Sequence, residues 1–347
     1  MKLHHPVVVL FGAGATRGGL AKNNVPPPLD TDFFDIAAQV SGHGTPRLAK
    51  TVLNDVWALY RRTSGIGLEA YYRDIETRAK IDSFAKSKHR PKDWQRRQKQ
   101  LEELIRRVVI QTTCDTTCAP YKPIVSLAHR RILKNIEVGD TILTFNYDTV
   151  IEEAFDTQSL WSPVDGYGPE VYGHTLNWAK KWLRHHNASQ KTRSKTLVLK
   201  LHGSVGWVLD QTNKVKMKPR PYVVRTRNGR PSFEKISILP PGWNKQIEKN
   251  PYRVLWRIAR SRLETCKSLV IIGYSLPETD LLARALFAEV VRRRDTGGKF
   301  LKQLHIADPS PAAIQRLFDL FNPALGAHGH VFKYGGIKEV ADRLATL

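Results

Sequence analysis

The feature that most constrains the fold is a short apolar run ending in glycines, Val7–Gly19. Residues Val7–Phe11 are continuously apolar, the pattern of a strand buried on both faces of a parallel sheet. Gly12 and Gly14 follow at once, and because glycine lacks a Cβ, the backbone there can turn tightly and approach a ligand. Amides in such a turn, and at the start of the next helix, bind anions such as a pyrophosphate. A tight turn without a ligand has the same pattern, so the stretch predicts a strand–turn–helix unit and leaves its ligand open.

The apolar strand pattern recurs along the chain, with helical patterns between the strands. The further predicted strands are Thr141–Phe145, Leu197–Leu201, Ser268–Ile272, Leu304–Ala307 and Val331–Tyr334. Alternation of strands and helices is typical of a parallel sheet covered on both faces. The sequence therefore predicts an α/β fold with a Rossmann-like, doubly wound, mostly parallel sheet.

Residues 46–138 carry little strand signal and are interpreted as a helical module inserted into the sheet domain. One helical face there is apolar, at Leu101, Leu104, Ile105 and Val108, and we expect that face to pack in a core. Residues 1–45 then form the start of the sheet domain and residues 139–347 form its remainder. That remainder is expected to hold insertions at about 160–195 and 207–250, where the strand–helix alternation breaks down.

Polar residues follow the predicted strands where each strand ends. The carboxyl ends of parallel strands line the crevice in which open α/β sheets bind ligands. Asn146 and Asp148 follow one strand there and could hydrogen-bond ribose hydroxyls or hold a water, although helix capping would also explain Asp148. His202, next to Gly203, suits a general base, with a buried structural histidine as the alternative. Asp308 ends a late strand and is well placed for an adenosine ribose.

Composition narrows the classes of partner. Lys and Arg number 55 against 32 Asp and Glu, a formal net charge of +23, which favours polyanions or an acidic protein partner. The three cysteines are too few for a disulfide framework, and Cys114 and Cys118 lack a second pair at metal-ligand spacing, so no metal is expected. No run approaches the ~18 apolar residues of a membrane span, and a secretory signal has no room before Val7. We therefore expect a cytoplasmic protein without a membrane contact.

Five short motifs in order resemble those of the sirtuin-like NAD hydrolases of bacterial anti-phage defence. The motifs are Gly12-Ala13-Gly14-Ala15, Phe145-Asn146-Tyr147-Asp148, Leu201-His202-Gly203-Ser204, Gly273-Tyr274-Ser275-Leu276-Pro277 and Asp308-Pro309-Ser310. The stretch Ile238–Lys245 is similar to the same branch, and the resemblance spans nearly the whole chain. The protein deacylases of this fold differ: their glycine loop continues with a pattern like Gly-Ile-Pro-Asp-Phe-Arg, and they carry a four-cysteine zinc module. Thr16–Gly19 departs from that loop, so recognition of a lysine peptide is not expected.

The resemblance implies an enzyme, an NAD+ glycohydrolase that cleaves the nicotinamide–ribose bond to deplete NAD+, in abortive infection. Such cleavage builds positive charge on the ribose carbon. Asn146 would orient the ribose or the attacking water, His202 would act as the general base, and Asp148 would position the nicotinamide end or support Asn146. The residues expected to bind the rest of NAD+ are Gly12, Ala13, Gly14 and Thr16 at the pyrophosphate, and Ser275 and Asp308 at the adenosine half.

Two other functions are compatible with the sequence. One is a module that senses NAD or a related nucleotide without turning it over, and the other is a nucleic-acid-binding protein on a Rossmann scaffold.

An NAD hydrolase without restraint would deplete the NAD+ of the cell, and the sequence shows no autoinhibitory segment. We therefore expect a homo-oligomer formed through the helical module, and the resemblance suggests a ring-shaped translocase ATPase as a partner. The basic clusters could contact DNA directly.

Overall fold

The computed structural model describes most of the chain in separate stretches. They are residues 2–20, 25–40, 44–84, 91–117, 122–155, 160–162, 165–169, 171–173, 194–209, 215–217, 224–225, 231–232, 236–239 and 247–345. The strands are β1 Val7–Phe11, β2 Cys114–Asp115, β3 Lys122–Pro123, β4 Thr141–Thr144, β5 Tyr172–Gly173, β6 Leu197–Lys200, β7 Gly203–Leu209, β8 Val215–Met217, β9 Val224–Arg225, β10 Pro231–Ser232, β11 Ile236–Ile238, β12 Ser268–Ile272, β13 Leu301–Ala307 and β14 Leu325–Tyr334. The helices are α1 Ala13–Gly19, α2 Phe33–Gln39, α3 Thr45–Tyr60, α4 Leu68–Phe84, α5 Pro91–Thr113, α6 Leu127–Leu133, α7 Val150–Ala154, α8 Tyr252–Thr265, α9 Leu281–Gly297, α10 Pro311–Phe321 and α11 Ile337–Ala345.

The main sheet has six parallel strands in the order β14–β13–β12–β1–β4–β6. Helices α1, α6 and α11 pack against one another, and α8, α9 and α10 form a second packed group. Strands β1, β4 and β12 are buried along their whole length, including the threonines of β4 and the serine of β12. The predicted doubly wound parallel α/β fold is confirmed.

The register of the central strands brings their carboxyl ends to one edge. Phe11 at the end of β1 pairs with Thr144 of β4 on one side and with Ile272 of β12 on the other. Thr144 in turn pairs with Lys200 of β6. The polar residues that follow each strand therefore emerge together at this edge, where the crevice of an open α/β sheet lies.

The buried apolar side chains form two clusters. The larger follows the main sheet and includes Ile132 and Leu133 of α6. The smaller is built from α2, α3, α4 and α5, and Val205 of β7 contributes to it. The domain limits at 45/46 and 138/139 stay a prediction.

Parts of the two predicted insertions are described. A smaller sheet has the order β11–β7–β8–β5, and β9 pairs with β10. Cys118 and the stretch from Pro240 to Lys245 lie outside the described residues, as does most of 160–195. Among the described residues, no helix combines the length and apolar character required to cross a bilayer.

Candidate active site

The glycine loop after β1 is held against the loop after β12 by backbone hydrogen bonds. The amide of Gly12 donates to the Ile272 carbonyl and the amide of Gly14 to the Gly273 carbonyl, each at 2.9 Å. A Cβ added to Gly12 would lie 2.3 Å from the Gly273 oxygen, and Gly273 itself has a φ of +60°. Close approach of the two loops therefore requires both glycines. Helix α1 begins at Ala13, directly after Gly12. The roles of Gly12, Ala13 and Gly14 in pyrophosphate binding stay a prediction.

A chain of side-chain hydrogen bonds connects the glycine loop to Asn146 and Asp148. Thr16 Oγ1 donates to Asp148 Oδ2 at 2.8 Å, so the same hydroxyl oxygen accepts from Asn146 Nδ2 at 3.0 Å. Asn146 Nδ2 also donates to the Gly12 carbonyl at 2.9 Å. The side-chain nitrogen of Asn146 thus fixes the loop after β1, and its Oδ1 takes no part in these bonds. Thr16 is buried, and its hydroxyl serves this chain.

Asp148 is almost entirely enclosed, with 5% of its surface exposed. Its Oδ1 accepts the Val150 amide at 3.0 Å, a contact that also stabilises the start of α7. Its carbonyl accepts from the buried Lys200 ammonium. Both carboxylate oxygens are therefore engaged within the protein. The two roles expected for Asp148, support of Asn146 or positioning of the nicotinamide end, stay predictions.

His202 lies at the end of β6 in an aromatic pocket. Its ring centroid is 4.9 Å from that of Phe145, and the Trp256 ring from α8 stacks at 6.4 Å. The His202 carbonyl accepts the Leu239 amide at 2.8 Å, and the Leu239 carbonyl accepts the Tyr147 hydroxyl at 2.7 Å. Burial raises the pKa of Tyr147 well above its ordinary value, so this hydroxyl keeps its proton. Backbone and pocket together hold His202 in one place.

A carboxylate that the sequence reading missed also faces His202. Asp280 Oδ2 lies 4.0 Å from His202 Nε2 and accepts the Tyr274 hydroxyl at 3.0 Å. Thr279, the preceding residue, donates its hydroxyl to Glu69 of α4. The amide of Glu69 donates to Asp30 Oδ1 at 2.8 Å, which anchors the start of α4. Polar residues after the Gly273–Pro277 motif were the only available signal for Asp280.

The two residues predicted at the adenosine half follow the adjacent strands β12 and β13. Ser275 is exposed, and its carbonyl accepts Arg316 Nη2 at 3.0 Å. Asp308 Oδ1 accepts the Ser310 amide at 2.9 Å. Burial raises the pKa of Asp308, while the Ser310 amide and the Arg316 charge oppose that rise. Both side chains lie at the carboxyl edge, at a distance along the sheet from His202.

Two further expectations concern charge and metal. Arg17, in the helix that follows the glycine turn, pairs with Asp32 at 2.5 Å. In the described parts of the chain, no group of three or more His, Cys, Asp or Glu side chains could hold a metal ion. Cys114 is buried, and its thiol lies 3.9 Å from the Thr113 hydroxyl.

A family model matches one part of this chain. Residues 140–312 match the family model described as a SIR2-like domain. This match supports a sirtuin-like family for that part of the chain, which holds Asn146, His202 and Asp280. The narrower assignment to anti-phage NAD hydrolases stays a prediction.

Solved structures that overlap this chain include sirtuins. One structure, from work on the structural basis of sirtuin substrate affinity, is 15% identical to this chain. The alignment covers 99% of this chain and 93% of that chain, with a TM-score of 0.40. Another contains Sir2, a p53 peptide and NAD+, 14% identical over 99% and 92%, with a TM-score of 0.37. TM-scores of this size do not by themselves establish a common fold. A comparison with curated protein sequences gave no match.

Proposed function

We propose that this chain is an NAD+ glycohydrolase. The observation that carries the proposal is the juxtaposition of Asn146 and His202. Each lies two residues beyond the paired residues Thr144 and Lys200, at the carboxyl ends of adjacent parallel strands. Asn146 is also tied to the Gly12 carbonyl, so the two polar groups and the glycine loop border the same crevice.

The reaction balances with water as the only co-reactant. The bond between the nicotinamide nitrogen and the ribose carbon breaks, and its electron pair goes to the nitrogen, which discharges the pyridinium. A water oxygen bonds to the ribose carbon, and one water proton goes to His202 and then to solvent. The products are nicotinamide, ADP-ribose and a proton. Charge develops on the ribose carbon, as in other glycoside cleavages.

Each of the candidate residues is assigned to one part of NAD+ or to the attacking water. His202 is the general base, and Asn146 orients the ribose or the water through its Oδ1. Asp148 holds Asn146 in place through Thr16. The α1 start, with Gly12, Ala13 and Gly14, would meet the pyrophosphate, and Ser275 and Asp308 the adenosine half, because they line successive positions along one sheet edge.

The biological setting belongs to the same proposal. Depletion of NAD+ in anti-phage defence and a ring-shaped ATPase partner are proposed from the resemblance, and direct DNA contact from the net charge of +23. A homo-oligomer is proposed because an NAD hydrolase requires restraint. No zinc and no deacylation of an acetyl-lysine peptide are expected, because the loop after Gly14 and the cysteine count differ from those of the deacylases.

The test is release of nicotinamide from NAD+ by the purified chain. We expect His202→Ala and Asn146→Ala each to lower the rate at least ~10²-fold, the lower end of general acid–base contributions. Asp319→Asn removes an exposed charge on α10 and serves as the matched control with wild-type rate. Circular dichroism and thermal melting check that each variant is folded.

Two results would contradict the proposal. A folded His202→Ala protein that releases nicotinamide at the wild-type rate removes His202 from the mechanism. A wild-type chain that binds NAD+ without releasing nicotinamide, with any partner protein supplied, would favour the sensing module instead.

A further inference from the structure

Asp280 lies at a position where an aspartate side chain ordinarily caps a helix. It is the residue that precedes α9, and Asp at such a position usually accepts a hydrogen bond from an amide of the first helical turn. Here the side chain makes no capping hydrogen bond. Its Oδ2 is directed to the Tyr274 hydroxyl and toward His202 Nε2 instead. The helix thus forgoes the side-chain cap that an aspartate at this position ordinarily provides.

The surroundings make this carboxylate costly to bury. Only 2% of the surface of Asp280 is exposed, and His202 is 5% exposed. A buried carboxylate requires hydrogen bonds or an opposite charge, and the Tyr274 hydroxyl supplies one such hydrogen bond. The His202 imidazole at 4.0 Å, when protonated, adds an opposite charge to the same site. The pair is therefore most stable when His202 holds a proton, which is the state that a general base reaches during catalysis.

The two residues come from distant strands. Asp280 follows β12 and His202 follows β6, and both β1 and β4 lie between those strands. Phe145, which follows β4, stacks on Tyr274 at 4.9 Å, and its ring centroid lies 4.9 Å from that of His202. Packing at the centre of the sheet therefore sets the positions of Asp280 and His202.

We propose that Asp280 is the positioning carboxylate of His202, which orients the imidazole with Nε2 toward Asp280 and stabilises its protonated form. A proton carried on Nε2 makes Nδ1 the nitrogen that accepts the proton from water. Asp280 does not touch the reacting atoms and acts through His202. The consequence for NAD+ cleavage rests on the function proposed above, whereas the orientation and charge of the pair do not.

Other groups contribute to the electrostatic environment and are kept constant in the test. Tyr147 follows β4, Tyr274 follows β12, Tyr252 lies on α8, Glu69 on α4, and Arg284 on α9. Burial raises the pKa of Tyr147 and Tyr274 far above neutrality, so both stay neutral there. Glu69 adds negative charge to the same region and is retained in every variant.

The first experiment follows the His202 imidazole by NMR, with its signals assigned by their loss in His202→Gln. In the wild-type chain we expect the neutral ring to carry its proton on Nε2, which nitrogen chemical shifts report. In Asp280→Asn we expect the pKa of His202 to fall by about 1–3 units, because an opposite charge within 4–6 Å has been removed. Asp319→Asn is the charge control and should leave the titration unchanged.

The second experiment applies if the chain releases nicotinamide. Asp280→Asn should then lower kcat at least ~10²-fold and change KM less, because binding groups are untouched. The acid limb of kcat/KM should move to lower pH by the shift seen in the NMR titration. Loss of a purely structural contact would lower the melting temperature without moving that limb, and Asp280→Glu, which retains the charge, should restore part of kcat.

The outcomes are distinct. A neutral ring protonated on Nδ1 in the wild-type chain overturns the proposed orientation even if Asp280→Asn does not fold. A His202 pKa that is the same in wild type and folded Asp280→Asn overturns the electrostatic role. Absence of nicotinamide release from the wild type would count against the proposed function alone, since the NMR measurements decide the role of Asp280 without turnover.

Discussion

The ammonium group of Lys200 lies in the protein interior, next to Asp148 of the candidate site. The side chain is fully buried, donates to the Asp148 carbonyl, and lies 3.3 Å from Glu152 Oε1 on α7. Tyr167 donates to that same Glu152 oxygen at 2.6 Å. A buried charge is tolerated only when it is paired and hydrogen-bonded. Lys200 therefore connects β6, two residues before His202, to the segment that carries Asp148.

Removing one member of this ion pair should be costly. We expect Lys200→Met to lower the free energy of unfolding by about 3–5 kcal/mol, because the Glu152 carboxylate stays buried without its cation. The double variant Lys200→Met/Glu152→Gln should lose less than Lys200→Met alone, since no unpaired charge remains. Urea denaturation of the three proteins measures both differences. A double variant less stable than the single one would show that the pair does not compensate charge.

At the scale of elements, the candidate site depends on contact between the loop after β1 and the loop after β12. A Cβ on Gly273 would lie 2.0 Å from the Ala15 nitrogen, and a Cβ on Gly12 would lie 2.7 Å from the Tyr274 Cα. Both obstacles are backbone atoms, which cannot turn aside as a flexible side chain can. Tyr274 also holds Asp280, so separation of these loops would displace the His202 surroundings as well.

Alanine substitutions should distinguish loop contact from backbone conformation. Gly12→Ala and Gly273→Ala are expected to destabilise the protein most, by more than the ~1–2 kcal/mol of left-handed strain alone. Gly298 also has a positive φ, +63°, but a Cβ there meets no atom within 4 Å. Gly298→Ala should therefore cost only the strain.

Thermal melting of the three variants provides the order of stability. Gly297→Ala is a second control, since a Cβ at that position also meets no atom within 4 Å and Gly297 ends α9. If Gly12→Ala and Gly298→Ala have the same melting temperature, the close contact between the two loops does not contribute the stability expected here.

At the scale of the whole molecule, some of the 55 Lys and Arg side chains are held in local ion pairs, which leave the net charge of +23 unchanged. On α9, Arg292 and Arg293 both donate to Glu289, and these bonds lower the pKa of that carboxyl to about 2. On α5, Arg106 and Arg107 pair with Glu103. Arginines in such pairs are less available to a polyanion than the total charge indicates.

Turnover with and without DNA tests the predicted dependence on a partner. We expect NAD+ cleavage by the purified chain to respond to double-stranded DNA at low salt and to lose that response toward physiological salt. The reason is that binding through Lys and Arg releases counterions, so it weakens steeply as salt rises. Sedimentation in the same buffers reports the oligomeric state. Full-speed cleavage by a salt-insensitive monomer that ignores DNA would contradict this prediction.

Local patterns determined the strands and their order of appearance. Val7–Phe11 and Ser268–Ile272 are buried strands as their unbroken apolar runs indicate, because a strand covered on both faces has no polar side. The predicted strand at 331–334 is longer, Leu325–Tyr334, since its first half is partly exposed and lacks that pattern. The placement of Asn146, Asp148 and His202 at strand ends follows from the same local signal, and their catalytic roles stay predictions.

Contacts between distant segments were decided only by the tertiary structure. Asp280 looks in the sequence like the start of a helix, and only the folding of β12 and β6 into one sheet brings it to His202. Lys200 looks like a polar interruption of an apolar strand until Glu152 supplies its partner. The hydrophobic periodicity of a sequence indicates which face of a helix or strand is buried, because burial determines the type of side chain at each position. Pairing of charges depends on the positions of other strands, and a local pattern contains no information about those positions.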